Sequence, residues 1–157
     1  MTTLVGMFYG AKEISALNQI IRYGIKSSFI ITLISSAFVY LFAETFSSWF
    51  TDDQEIIDVS VGFLRLLSLI YPLVAIAITS GRVMQGLGKG LPVLIITVIR
   101  VLGISAPLAL YFSFILEKPV EWNWYAMMIA AAISFTIAVY WVRFELNKIN
   151  KIHGETI

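Results

Sequence analysis

The sequence predicts an all-α, polytopic membrane helix bundle: four transmembrane helices preceded by a partial N-terminal helix and an interfacial amphipathic helix. Three observations predict it. Apolar residues make up 59% of the 157-residue chain, charged residues only 13%, and the charges cluster so that four long apolar stretches lie between them. A soluble domain carries about a quarter charged residues, because its surface must face water. A bilayer core about 30 Å thick is crossed by roughly 20 apolar residues in a helix. The other fold that satisfies its backbone in lipid is a closed barrel, whose strands of about ten residues alternate apolar and polar. These unbroken runs, with a mean hydropathy of +0.85, do not alternate.

The elements follow in order. Residues 4–9 are apolar but too short to span and read as the last turns of a helix, closed by Gly10, Ala11 and Lys12. Ile14, Leu17, Ile21 and Ile25 then recur at helical spacing opposite Glu13, Asn18, Gln19 and Arg22. That pattern fits a helix lying in the membrane interface before it turns into the first span. The spans cover residues 27–50, 59–81, 91–116 and 122–142. Glu44 lies near the far end of the first, Arg65 interrupts the second, Arg100 the third, and the fourth has no charge. The polar tail, 145–157, is expected to fray. Residues 1–157 are expected to form a single transmembrane domain.

Lys and Arg set the orientation. Lys12, Arg22 and Lys26 precede the first span, Arg82 and Lys89 join the second to the third, and Arg143, Lys148 and Lys151 follow the fourth. Residues 51–58 have no basic residue, and the turn at 117–121 has only Lys118. Basic loops stay in the cytoplasm, so both termini and the 82–90 loop are expected there, with the chain multi-pass in the inner (cytoplasmic) membrane. Trp49, Trp122 and Trp124 at the outer boundary, and Tyr140 and Trp141 at the inner one, fit the same arrangement as an aromatic belt.

The composition excludes several chemistries. With no cysteine and one histidine, His153, in the tail, the chain has no thiol or histidine metal cluster and no histidine-based triad. A net charge of +1 gives no basic face for nucleic acid. No metal, no organic cofactor and no enzymatic activity are expected.

Candidate function rests on polar residues inside the spans. Arg100 sits about nine residues, roughly 14 Å, into its helix. A central arginine costs about 2.5–3.5 kcal/mol to insert and so needs a partner or water. It can instead snorkel to the inner headgroups. Thr97, Pro107 and Tyr111 share its helical face and could line a cavity. Arg65 lies near the outer end, within easy reach of a headgroup or Asp58. Ser68, Pro72, Ala75 and Thr79 form a small, polar face that suits helix contact or a substrate path. Pro72 and Pro107 should kink their helices. Ala130, Ser134 and Ala138 at four-residue spacing suit close packing more than a ligand. Gly86, Gly88, Gly90 and Pro92 read as a tight hairpin, since they lack both the spacing and the preceding strand of a phosphate loop. No carboxylate lies near the middle of any span.

Together these pieces resemble the multidrug and toxic compound extrusion (MATE) family. The likeness is carried by Val5-Gly6-Met7-Phe8-Tyr9-Gly10-Ala11-Lys12, by Phe50-Thr51-Asp52-Asp53-Gln54-Glu55-Ile56, by Met84-Gln85-Gly86-Leu87-Gly88 with Leu91-Pro92, and by Arg100 with Ala106-Pro107-Leu108-Ala109. Met7 and Phe8 depart from the polar residues usual in the family. The resemblance implies the C-terminal portion of a twelve-helix antiporter that expels drug against H+ or Na+ by alternating access. Arg100, Thr97, Ser68, Tyr71 and Thr79 would be its cavity-lining candidates. The substrate would be a small cationic or amphiphilic organic molecule, and the partners membrane lipid and an N-terminal lobe. The coupling ion is expected to bind outside this chain, as in the DinF branch, and the chain alone is expected to be an inactive, truncated fragment. Alternatives are a lipid-linked oligosaccharide flippase of the same superfamily, or a non-transporting assembly protein docking through Ala130, Ser134 and Ala138.

Overall fold

The computed structural model describes residues 1–116, 119 and 121–153; Lys118 and the last four residues of the tail lie outside them. The described chain is helical. Four of its helices are long and apolar enough to cross a membrane: Ile14–Leu41, Gln54–Gly86, Leu91–Ile115 and Trp122–Ile152.

A short helix, α1 (Thr2–Gly10), precedes α2 (Ile14–Leu41). Lys12 turns the chain between them in the left-handed region, at φ 60°. The amphipathic stretch is present, but no turn separates it from the span; both belong to the single helix α2. Its apolar stripe is buried in protein: Ile14, Leu17 and Ile21 join Val5, Val83, Met84, Val142, Leu146 and Ile149 in one cluster. A helix whose stripe meets other helices has no reason to lie flat in the interface.

The first span ends earlier than its hydropathy indicates. The chain bends at Phe42 and continues as α3 (Ala43–Ser48). Phe38, Phe42, Phe46 and Trp49 stack through this bend, with ring centroids 4.7–5.9 Å apart. The Asp53 side chain then caps α4 (Gln54–Gly86), accepting a hydrogen bond from the Glu55 N–H at 3.0 Å. Arg65 meets neither Asp58 nor a described acid; its guanidinium lies over the Tyr40 ring, 5.6 Å from the centroid.

Pro72 is buried inside α4, and the helix runs on unbroken through it. At the C-terminus the Gly88 N–H bonds the Gln85 carbonyl and the Lys89 N–H the Met84 carbonyl, with Gly88 at φ +76°. This paired closure ends a helix on a left-handed residue, so glycine belongs at 88. Gly86 serves a different purpose. A Cβ there would lie 2.6 Å from Val5 Cβ and 2.7 Å from the Thr2 carbonyl oxygen, so its absence lets α1 touch α4.

The third span begins as α5 (Leu91–Val98), widens to π geometry over Ile99–Ser105, tightens into α6 (Ala106–Leu110), and widens again over Tyr111–Ile115. Pro107 has no N–H to give the Gly103 carbonyl, and the ladder changes pitch just before it. The last helix, α7 (Glu121–His153), continues well past the fourth apolar run. Residues 145–153 therefore do not fray. Glu145 pairs with Lys89, Asn150 accepts a 2.9 Å bond from Asn18, and Leu146 and Ile149 complete the core.

Candidate site around Arg100

The stripe of α4 running through Leu67, Tyr71, Val74, Ile78, Arg82 and Gln85 faces the third span and α7. Two cavities open along it. One, of about 150 Å³, is bounded by Arg82, Gln85, Thr97, Arg100, Ser134 and Trp141, among others. The other, of about 260 Å³, includes Tyr71, Arg100, Val101, Ser105, Met127 and Ala130. Arg100 lines both.

Local backbone explains this placement. Arg100 is the second residue of the first π-helical stretch, where the repeat lengthens to i→i+5. Arg100 and Ser105, five residues apart, accordingly reach the same cavity. The same pitch change breaks the stripe expected from an α-helix: Pro107 and Tyr111 are exposed, and neither lines the two cavities.

Of the five sequence candidates, three come together here. Arg100 joins both cavities, Thr97 lines the first and Tyr71 the second. Ser68 and Thr79 lie on another stripe of α4. The Ser68 hydroxyl is buried and donates to the Leu64 carbonyl at 2.7 Å, while Thr79 donates to the Ser28 hydroxyl of α2 at 3.0 Å. Eleven residues, close to three full turns, separate Ser68 from Thr79, so both turn away from Arg100.

Arg82, Gln85 and Trp141 also line the smaller cavity, although the sequence does not mark them as cavity residues. Arg82 reads from sequence as a loop charge, yet the four-residue step from Ile78 through Arg82 was a usable signal. Ser134 does double duty, lying on the packed face of α7 and on the cavity wall.

Electrostatically the site is cationic. Two arginines line the smaller cavity, and among the described residues no carboxylate lines either one. Among the described residues Arg100 has no ion-pair partner; the pair that forms there is Lys89 with Glu145. The Thr97 and Ser134 hydroxyls donate to the Val93 and Ala130 carbonyls at 2.9 and 2.7 Å, leaving only lone pairs for the cavity. The donors left for a ligand are the guanidinium groups, the Gln85 amide and the Trp141 indole N–H. Among the described residues no three His, Cys, Asp or Glu side chains gather as metal ligands would.

The family model MatE matches residues 1–111. The chain is 30% identical over 109 residues to a probable multidrug resistance protein NorM of Thermotoga maritima, covering 69% of this chain and 24% of that one. It is 25% identical over 139 residues to a probable multidrug resistance protein YoeA of Bacillus subtilis, covering 88% and 30%. The inward-facing structure of a multidrug resistance MATE family transporter of the MOP superfamily superposes with a TM-score of 0.84 at 26% identity, over 96% of this chain and 35% of that one. The MATE transporter ClbM in complex with Rb+ shares the fold, with a TM-score of 0.82 at 20% identity over 94% and 35%. The chain thus spans about a quarter to a third of the length of these proteins.

Proposed function

The chain belongs to the MatE family, and from that premise we propose that it supplies one wall of the substrate cavity in a secondary multidrug antiporter working by alternating access. Its work is to bind and reorient a substrate; no bond is made or broken. The supporting observation is Arg100, half-buried in the third span and shared by two cavities between α4, the third span and α7.

On this reading the chain is the C-terminal portion of the transporter, a single transmembrane domain, and an N-terminal lobe provides the opposing wall. H+ or Na+ binds in that lobe, because among the described residues neither cavity is lined by a carboxylate that could titrate or hold a cation. Both termini and the 82–90 loop face the cytoplasm. Within the expected substrate range, an amphiphile with an apolar body and a neutral or anionic end suits the cavity better than a cation, which two guanidinium groups would repel.

That same charge favours a second reading, a flippase for lipid-linked oligosaccharides, which must hold a pyrophosphate. Arg82 lines the smaller cavity with Arg100, while Arg65 lies over the Tyr40 ring.

The test is amphiphile binding to the full 157-residue chain in nanodiscs, with gradient-driven efflux measured in proteoliposomes. Saturable binding is expected, weakened about tenfold or more by Arg100→Gln, the worth of one charge-assisted hydrogen bond. Efflux under an H+ or Na+ gradient is expected only when an N-terminal lobe is co-reconstituted. Binding indifferent to Arg100→Gln removes the cavity from the proposal. Ion-driven efflux by the chain alone refutes the division of labour between lobes.

A further inference from the structure

A second cationic feature lies away from Arg100. A groove of about 600 Å³ runs between α2 and α7, with α4 at its base. Arg22 and Lys26, one turn apart on α2, and Arg143 on α7 line it. Phe29, Ile76 and Leu146 give it an apolar floor. Along α2 it extends from Asn18 to Phe29, eleven residues or about 16 Å of helix.

Among the described residues no acid lines this groove. Among the described residues the one carboxylate in an ion pair, Glu145, is engaged with Lys89 and neutralises none of the three. Three cations facing one space repel each other unless an anion sits among them, and the strength of that repulsion grows as water is displaced. A free inorganic anion would answer the charge but would leave the apolar floor wet. Arg22 and Arg143 also lie toward the end of the bundle that carries the Gly88 hairpin, where the apolar runs of α2 and α7 give way to polar sequence. A ligand there has its charged part at the membrane boundary and its apolar part beside Phe29 and Ile76.

We propose that this groove is a binding site for an anionic phospholipid, its phosphodiester held by Arg22, Lys26 and Arg143 and one acyl chain laid over Phe29, Ile76 and Leu146. Basic pockets between transmembrane helices hold phospholipid headgroups by this combination of charge and depth. The site is separate from the Arg100 cavities and shares no residue with them. It holds for either orientation of the bundle.

The test titrates a fluorescent phosphatidylglycerol into the full chain in mixed micelles of neutral detergent and phosphatidylcholine. Saturable binding is expected, displaced by unlabelled phosphatidylglycerol but not by phosphatidylcholine or millimolar inorganic phosphate. The variant R22Q/K26Q/R143Q should weaken binding on the order of a hundredfold, about fivefold per cation. The charge-matched control K12Q/K148Q/K151Q should bind as the parent does. Circular dichroism checks that each variant is helical, and should the triple variant unfold, Arg143→Gln alone, expected at about fivefold, decides. Equal losses in both triple variants mean diffuse surface attraction and overturn the site. Displacement by inorganic phosphate overturns the lipid assignment in favour of a simple anion site. Absence of saturable binding overturns both.

Discussion

α7 packs on α4, and the third span packs chiefly on α7, reaching α4 through α5; both are apolar enough to cross a bilayer, yet they are held in different ways. α7 presents Ala126, Ala130, Ser134 and Ala138 as a buried face of small side chains. The third span has no buried residue, and Leu94, Leu102 and Phe114 are more than half exposed. Helices in lipid gain little from mutual hydrophobicity, since the tails are equally apolar; they associate by close packing. Small side chains at four-residue spacing allow it, and the bulky Leu, Ile and Val of the third span do not. Hydropathy therefore marks which segments cross, while the spacing of small residues marks which are clamped. The loosely held helix is also the one that changes pitch twice and carries Arg100.

The largest expected effect comes from filling the clamped face. Ala130→Leu forces extra atoms into a site that is 1% exposed and should destabilise the bundle by about 1–3 kcal/mol. Leu102→Ala in the third span, 67% exposed, should change stability by about 0.5 kcal/mol or less. Thermal melts in one detergent compare them, and equal losses would erase the distinction between the two helices. Next is the polar tie from α7 to the hairpin. Glu145→Ala leaves Lys89 without its partner and should cost about 1 kcal/mol, because Lys89 is 38% exposed and water screens it. Pro107→Ala should shift stability by no more than about 1 kcal/mol. It restores an N–H for the Gly103 carbonyl and should slow amide exchange around residues 99–107. Unchanged exchange there would separate the π-helical pitch from the proline.

Much of the fold is legible in the sequence, because the bilayer forces long apolar runs to be helices, and the hairpin is legible because Gly88 needs a left-handed backbone. What hydropathy does not encode is where a polar surface meets protein. The amphipathic stripe of Ile14, Leu17 and Ile21 looks like a membrane-surface face, but it packs on α1, α4 and α7. The tail looks frayed until Glu145 meets Lys89 and Asn150 meets Asn18. At the site, Arg100 stands out through its cost in lipid. Its neighbours were less legible, because a π-helical turn shifts residues off the α-helical face that counting by three and four assumes. The Ala130/Ser134/Ala138 face was likewise open to a partner protein until the fold occupied it with the chain's own helices.

The most direct test of the four-span account is sidedness. The chain has no cysteine, so single cysteines at Asp52, Lys89 and Lys151 can each be probed on intact cells with an impermeant maleimide. The account predicts labelling at position 52, with 89 and 151 labelled only after the membrane is opened. Labelling of 89 and 151 from opposite sides would contradict it.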